Sequence, residues 1–132
     1  MLDRTFELSL AEVAVREDVG LIAWSPLAGG LLTGKYAADK TAIPGSRSSS
    51  GFVLFSPERL QATQAYAEIA ANHGMSLTTM ALAFARQAPF MTSVLVGASS
   101  VAQLDANLAA IDVQLPKDVI QAINEVHDRR PN

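Results

Sequence analysis

A cluster of glycines close behind a short apolar run is the part of the sequence best suited to chemistry. The run Leu21–Trp24 is predicted as a buried parallel strand, which Pro26 ends because proline cannot donate to a strand ladder. The glycines that follow are Gly29, Gly30 and Gly34. A glycine-rich loop behind a strand lets backbone N–H groups approach a phosphate. Taken alone, ordinary turn chemistry remains the simpler explanation of these glycines.

A second strand followed by a loop comes later in the chain. Ser93–Val96 is predicted as a strand, and Gly97 begins the loop behind it. Either Ser99 or Ser100 is suited to cap the next helix. A cap and a phosphate contact can share one helix N-terminus, so the two interpretations are compatible.

The remaining titratable residues indicate neither a metal site nor an acid–base pair. The chain has no cysteine, which excludes disulfides and thiolate zinc sites. No pair of carboxylates and no spacing of histidine with acidic residues suggests a metal ion. His73 is suited to interact with a helix C-terminus, and His127 is interpreted as a surface residue.

Composition limits the class of protein. The 132 residues fit a single domain, and 49% hydrophobic with 17% charged residues is typical of a globular chain. The net charge of −3 gives no electrostatic footprint for nucleic acid. No apolar run is long enough to span a membrane, and the N-terminus lacks the pattern of a signal peptide. We therefore expect a cytoplasmic protein with no nucleic-acid or membrane partner.

Helices are predicted before, between and after the two strands along the sequence. Thr5 is suited to cap the first helix, which runs to about Asp18 with Leu10, Val13 and Ala14 on one face and is ended by Gly20. Residues 37–56 are rich in serine, proline and glycine and are predicted as a long loop, either a functional lid or a flexible insert.

Later helices have clear start signals. Ser56 with Pro57 begins one that Gly74 ends, and Ser76 begins another that stops before Pro89. The next helix should turn three residues inward: Leu104, Leu108 and Ile111. The last begins near Pro116 and places four residues on one side: Val119, Ile120, Ile123 and Val126.

Two strands that alternate with helices predict an α/β protein with a parallel sheet. Two parallel strands do not form a stable sheet alone, because both faces and both edges need cover. The predicted helices cover one face only. The sequence therefore leads us to expect a missing part of the fold, located before residue 1.

The segments WSPLAGGLLTGKY (24–36) and VLVGASSVAQLDANL (94–108) together resemble the C-terminal half of the aldo-keto reductases. The resemblance covers nearly the whole chain and is strongest to bacterial reductases related to potassium-channel beta subunits. It implies the C-terminal portion of a (β/α)8 TIM barrel. Leu21–Trp24 would be strand seven and Ser93–Val96 strand eight, and residues 1–132 would form the cofactor-binding half.

The resemblance also implies an NADP(H) site and a role for each matching residue. Trp24 would stack on the nicotinamide, Lys35 would meet a phosphate, and Arg47 would clamp over the cofactor. Gly97 and Ser99 would approach the adenosine end. Gln103 would lie near the 2′-phosphate and Asn107 near the adenine, on one helix face. The pyrophosphate would follow five consecutive residues: Ser25, Pro26, Leu27, Ala28 and Gly29.

Two departures from the family pattern separate the functional hypotheses. Relatives carry a carboxylate or amide where this chain has Ala106, and the family's catalytic Asp, Tyr, Lys and His lie on the half of the barrel that precedes this sequence. One hypothesis is therefore part of an NADP(H)-dependent oxidoreductase. The others are a non-catalytic nucleotide-binding or interaction module and a degenerate fragment. Besides the dinucleotide, the expected partner is a missing N-terminal half-barrel or a second copy of the chain.

Overall fold

Helices and two parallel strands alternate in the computed structural model, which describes residues 1–36 and 56–130. Two 3-10 helices lie at Thr5–Leu8 and Ala28–Thr33. The strands are β1, Leu21–Trp24, and β2, Met91–Leu95. The α-helices are α1, Leu10–Arg16; α2, Pro57–Asn72; α3, Leu77–Gln87; α4, Val101–Leu108; and α5, Lys117–Arg129.

The two strands pair in parallel, which confirms the α/β prediction. Ile22 is the register partner of Ser93, and Trp24 is the partner of Leu95. The pairing is irregular only where β1 begins, between Leu21 and Ile22. The sequence prediction placed β2 slightly late, because Met91 and Thr92 already belong to the strand.

The prediction that β1 is buried is wrong within the described residues. Ile22 is 58% exposed and Trp24 is 74% exposed, while the alternate residues Leu21 and Ala23 are half-buried. Successive side chains of a strand point to opposite faces, so this alternation shows that only one face of the sheet is covered. Helix α3 packs against β2.

The single helix predicted from Thr5 to Asp18 is broken in the structure. Thr5 does not cap it; its N–H and hydroxyl both donate to Asp3 Oδ1, at 3.1 and 2.5 Å. A 3-10 helix forms first, and Ser9 then interrupts it with a non-helical φ of −150° at ψ −40°. Leu10 and Val13 are exposed and only Ala14 is buried, because α1 packs on the preceding 3-10 helix and not on the core.

Gly20 has a different role from the helix stop that the sequence suggested. Helix α1 ends at Arg16, and Asp18 takes the left-handed conformation at φ 52°. A Cβ placed on Gly20 would collide with the Thr92 side chain in β2. Glycine is therefore required here because the chain approaches β2 closely where β1 begins.

The predicted starts of α2 and α3 are confirmed. Ser56 Oγ accepts from the Arg59 N–H at 3.2 Å, and Ser76 Oγ accepts from the Thr79 N–H at 3.0 Å. Pro57 occupies the first turn of α2, where its missing N–H costs no hydrogen bond. Gly74 follows the C-terminus of α2 with φ 66°, a conformation that favours glycine.

The core lies between α2, α3, α5 and the second 3-10 helix. Its fully buried large side chains are Tyr66, Leu31, Leu32, Met80, Ile123 and Val119. The predicted inner side of α5 is confirmed, since Val119, Ile123 and Val126 are buried and Ile120 packs against the core.

The predicted inner side of α4 is wrong. Leu104, Leu108 and Ile111 are 43 to 52% exposed, and the residues that turn inward are Asn107 and Ala110. Apolar residues at helical spacing are therefore buried on α5, which packs against the described core, but not on α4. No helix in residues 1–36 and 56–130 is long and apolar enough to cross a membrane.

Candidate functional site

The parallel pairing brings the two predicted loops to one edge of the sheet. Trp24 ends β1, and its register partner Leu95 ends β2. The loop that begins at Ser25 and the loop that contains Gly97 therefore start side by side. In α/β proteins ligands bind outside the carboxyl ends of parallel strands, so this edge is the candidate site.

Trp24 presents its indole ring at this edge. It is the only tryptophan of the chain and is 74% exposed. A cavity of about 740 Å³ lies beside it, and five of the predicted cofactor residues line it. These are Trp24, Ser25, Pro26, Ala28 and Gly29. An exposed aromatic ring on a cavity wall is suited to stack on a planar ligand.

The loop behind β1 is unusually rich in left-handed conformations. Ser25 has φ 55° and Ala28 has φ 50°, which are costly for residues with a side chain. Gly29 and Gly30 follow with φ 67° and 103°, and here glycine avoids the cost. The 3-10 helix at Ala28–Thr33 is kinked at these two glycines.

Part of this loop is closed by its own hydrogen bonds. The Ala28 N–H donates to the Ser25 carbonyl at 2.9 Å, and the Gly30 N–H donates to the Leu27 carbonyl at 2.8 Å. The same Leu27 carbonyl accepts from the Leu32 N–H at 3.2 Å. Ala28 and Gly30 therefore use their N–H groups internally in this conformation.

Lys35 folds back onto the glycines of the loop. Its ammonium lies 5.0 Å from the centre of the Tyr36 ring. A Cβ built on Gly30 would be only 2.8 Å from Lys35 Nζ, so the charge sits directly against the Gly30 backbone. The structure thus brings a cation, which the sequence placed five residues away, to the glycines of the candidate site.

The loop behind β2 ends in a closed cap on α4. Ser100 is the capping residue, since its Oγ accepts from the Gln103 N–H at 3.3 Å. Gln103 Oε1 in turn accepts from the N–H and the hydroxyl of Ser99, at 2.9 and 3.0 Å. This settles which of the two serines caps the helix, and it joins two predicted cofactor residues to each other.

The expectation that Gln103 and Asn107 share an exposed face is wrong for Asn107. Gln103 is exposed, whereas Asn107 is only 7% exposed at the end of α4 that turns toward the core. Gly97 is exposed. None of these residues, nor Ser99, Leu27 or Lys35, lines the cavity beside Trp24. Arg47 and almost the whole predicted loop 37–56 lie outside the described residues.

An arginine that the sequence interpretation missed closes another wall of the cavity. Arg4 donates to both carboxylate oxygens of Glu7, at 2.8 and 2.5 Å, and to Asn124 Oδ1 at 2.8 Å. Its guanidinium also lies 5.2 Å from the centre of the Phe84 ring. The spacing to Glu7 is a detectable sequence signal, but the contacts with Asn124 and Phe84 depend on tertiary structure.

The shifted pKa values near this wall have simple causes. The Thr5 hydroxyl, with help from the Thr5 N–H, holds the pKa of Asp3 below its usual value. Partial burial lowers the pKa of His127, and the charge of Arg4 lowers it further. Among the described residues, no three histidines or acidic side chains are grouped as metal ligands would be.

Comparison with known proteins identifies the family of the chain. The profile of the aldo/keto reductase family matches residues 1–128, and the chain belongs to that family. It is 42% identical over 130 residues to protein tas of Escherichia coli, a match that covers 96% of this chain and 37% of tas. It is also similar to an uncharacterised oxidoreductase, YrpG, of Bacillus subtilis, with 30% identity over 126 residues, 96% of this chain and 37% of YrpG.

Two further relatives differ in kind. A probable voltage-gated potassium channel subunit beta of Arabidopsis thaliana is 34% identical over 125 residues, covering 86% of this chain and 37% of that protein. The structure of a glycerol dehydrogenase from Gluconobacter oxydans matches with a TM-score of 0.79 at 22% identity, covering 98% of this chain and 41% of that one. This likeness supports the fold. The chain spans little more than a third of the relatives it matches.

Proposed function

We propose that this chain is the C-terminal, cofactor-binding portion of a (β/α)8 aldo/keto reductase barrel and that it binds NADP(H). Family membership and the α/β structure support a role in oxidoreductase chemistry with a nicotinamide dinucleotide. Preference for NADP(H), and the assignment of β1 and β2 to strands seven and eight, are part of the proposal. They rest on the motifs that surround Trp24 and Gln103.

The observation that carries the proposal is the juxtaposition at the end of β1. An exposed indole ring, at Trp24, stands at one end of a short glycine loop, and the Lys35 ammonium lies against the other end, at Gly30. A dinucleotide has the matching features, a flat aromatic ring joined to a pyrophosphate. Such a ligand can stack its ring on an aromatic side chain and place its phosphate against a lysine.

Each candidate residue then has a specific task. Trp24 stacks on the nicotinamide and fixes which ring face meets the substrate. The Ser25 hydroxyl and the backbone of Pro26–Gly29 follow the pyrophosphate, with the N–H of Ala28 excluded because it already donates to Ser25. Lys35 opposes the phosphate charge. We assign Arg47 as a clamp over the cofactor on the motif alone.

We assign the adenosine end of the cofactor to the loop behind β2. Gly97 allows close approach, and Ser99 contributes a hydroxyl. Gln103 has its amide oxygen engaged by Ser99, so its amide N–H groups are the donors that remain to meet the 2′-phosphate. Asn107 is buried, and we assign its amide to the adenine edge on the motif alone.

When bound, NADP(H) supplies the hydride for interconversion of a carbonyl and an alcohol. The proton that accompanies this hydride must come from a positioned acid. We propose that this acid lies on the other half of the barrel, with the family's Asp, Tyr, Lys and His. This chain contributes binding and orientation of the cofactor.

Exposed apolar residues support a dependence on further structure. Ile22 and Leu95 are exposed on the strands, as are Val13 on α1 and Leu108 on α4. We propose that the preceding half of a barrel covers them in the working protein. Self-association of the chain is the alternative way to cover the same residues.

A second candidate function is a non-catalytic nucleotide-binding or interaction module. The similarity to a potassium channel subunit beta favours it. Both functions predict dinucleotide binding, but only the first predicts turnover when the rest of a barrel is present. Measurement of carbonyl reduction therefore separates the two.

The experiment uses Trp24 as its own reporter. Its emission, corrected for light absorbed by NADPH, should fall when NADPH binds, because the stacked nicotinamide quenches the indole. No other tryptophan contributes to the signal. NADPH oxidation with a reactive aldehyde should remain at the level of a control without protein. Turnover should appear only when the N-terminal half of a relative's barrel is supplied. An emission unaffected by NADPH, with and without that half, would contradict the proposal.

A further inference from the structure

The side chain of Lys35 packs against two neighbours although the residue is exposed. A lysine has four rotatable side-chain bonds, and holding it in one geometry costs conformational entropy. Here two neighbours restrict it. The Tyr36 ring lies under the ammonium, 5.0 Å from ring centre to Nζ, and the backbone of Gly30 lies beside Cε and Nζ.

Tyr36 is well suited to act as a fixed platform. It is only 4% exposed, and its hydroxyl lies 3.5 Å from the Gly29 carbonyl oxygen. Its ring also reaches Gly30, since Cε2 would be 3.4 Å from a Cβ built there. Tyr36 therefore packs against the same glycines that the Lys35 ammonium approaches.

Gly30 leaves the space in which the ammonium sits. A side chain at this position would place its Cβ 2.5 Å from Lys35 Cε and 2.8 Å from Nζ. Both distances are too short for non-bonded atoms, so any other residue would displace the lysine. The φ of 103° at Gly30 disfavours other residues independently.

We propose that Tyr36 is a positioning residue, which holds the Lys35 ammonium at the glycine loop before a ligand arrives. Tyr36 need not touch the dinucleotide itself. The attraction between ammonium and ring, with the space at Gly30, reduces the disorder that phosphate binding would otherwise have to remove. This inference rests on the proposed function insofar as the ligand is a dinucleotide phosphate.

The first test measures the position of Lys35 without any ligand. Lys35 Nζ lies over the Tyr36 ring, so the protons on the adjacent Cε should show an upfield ring-current shift in the NMR spectrum of the free chain. Tyr36→Leu should abolish that shift, and Tyr36→Phe should retain it. Gly30→Ala should also abolish it, although the tyrosine remains. A wild-type lysine with the shift of a free side chain would overturn the proposal.

The second test measures NADPH affinity by Trp24 emission. Lys35→Ala should weaken binding by about tenfold, as expected for the loss of one charge-assisted contact. Tyr36→Leu should weaken it by about two- to fivefold, and Tyr36→Phe should leave it unchanged. The double variant Lys35→Ala with Tyr36→Leu should bind no more weakly than Lys35→Ala alone. Urea midpoints of all variants control for loss of the fold.

These outcomes distinguish the positioning role of Tyr36 from the proposed function. Multiplying effects in the double variant would show that Tyr36 acts elsewhere and would overturn its positioning role. Retention of the ring-current shift in a chain that binds no NADPH, with or without the N-terminal half of a relative's barrel, would instead refute the proposed function, and with it the purpose assigned to the held lysine. The shift together with non-additive affinities would support the proposal.

Discussion

Gln103 and Ser99 are joined by two hydrogen bonds that share one acceptor atom. The N–H and the hydroxyl of Ser99 both donate to Gln103 Oε1, at 2.9 and 3.0 Å. A residue assigned to the 2′-phosphate by its motif is therefore also part of the cap that begins α4. Two roles at one position can be separated by a substitution that preserves one of them.

Gln103→Glu should preserve the cap and weaken NADPH binding. A carboxylate accepts the two Ser99 bonds at least as well, and a negative charge near a helix N-terminus is favourable. The same charge would repel a 2′-phosphate but not the free hydroxyl of NADH. We expect an unchanged urea midpoint, clearly weaker NADPH binding and nearly unchanged NADH binding. Gln103→Ala is the control: it keeps the bond from the backbone N–H of residue 103 to Ser100 Oγ, but it removes both Ser99 bonds and should lose about 1 kcal/mol of folding free energy.

Equal loss of affinity for the two cofactors in Gln103→Glu would remove the assignment of this residue to the 2′-phosphate.

Trp24→Ala should weaken dinucleotide binding without loss of stability. The ring is 74% exposed and contributes little to the core, so the free energy of unfolding in urea should change by no more than about 0.5 kcal/mol. Loss of stacking should cost about 1 kcal/mol of binding free energy. Calorimetry replaces fluorescence here because the variant lacks tryptophan. Trp24→Phe, which keeps an aromatic face, should recover part of the affinity, and failure to do so would argue against stacking.

Gly20→Ala should destabilise the fold by about 1–3 kcal/mol, the range for an overpacked site. The added methyl would collide with the Thr92 side chain and push β1 away from β2. Thr92→Ala removes the nearest colliding atom, Oγ1, and should restore part of the loss in the double variant. Urea unfolding of the four proteins measures the coupling. Strictly additive effects would show that Gly20 is needed for its backbone and not for this contact.

Tyr66 should make stability fall at alkaline pH. Burial raises the pKa of its phenol above the ordinary value of 10.0. Below about pH 10 the phenol is neutral in both the folded and the unfolded chain, so its ionisation does not lower the free energy of unfolding. Above that pH the unfolded chain ionises more readily than the folded one, so stability declines. Urea midpoints across this range should fall in the wild type and fall less in Tyr66→Phe.

Tyr36→Phe offers a direct check of the same shift, because Tyr66 is then the only tyrosine. Its ultraviolet titration in the folded chain should begin at a higher pH than in urea. Identical titrations in the two conditions would contradict the effect of burial.

The isolated chain should self-associate. The exposed large apolar residues lie on several elements, with Ile22 and Trp24 on β1, Leu95 on β2, and Leu104 and Leu108 on α4. Apolar surface of this extent favours association with another surface. Size-exclusion chromatography at increasing concentration should show a mass that grows beyond 14.0 kDa. A sharp monomer peak at all concentrations would contradict the dependence on further structure.

Local signals in the sequence were sufficient for most elements of the fold. Ser56 with Pro57, and Ser76, identify helix starts because capping depends on residues only a few positions apart. The apolar run Leu21–Trp24 identifies a strand because it, too, is a pattern of neighbouring residues. What failed was the prediction of the inward face of α4. The apolar face of α1 is also largely exposed, because an apolar stripe indicates that something should cover it and not that the described core does.

The candidate site was predictable in its parts but not in its contacts. The sequence motifs identified Lys35, Ser99 and Gln103 as separate candidate residues. That Lys35 returns to Gly30 depends on a succession of left-handed residues, and that Gln103 bonds to Ser99 depends on the choice of capping serine. Such contacts follow from the exact backbone path, which spacing alone does not specify.

The position of β1 relative to the helical core also bears on how the molecule becomes ordered. Helices α2 and α3 follow each other closely in the chain and contact each other, whereas β1 finds its partner only after a long stretch of intervening sequence. Closing that stretch carries an entropic cost that short-range helix contacts avoid. The strand that ends in Trp24 is thus expected among the last segments to assemble. A ligand that bridges the loops behind β1 and β2 would complete the folding reaction in this region, so that recognition and late assembly become one event.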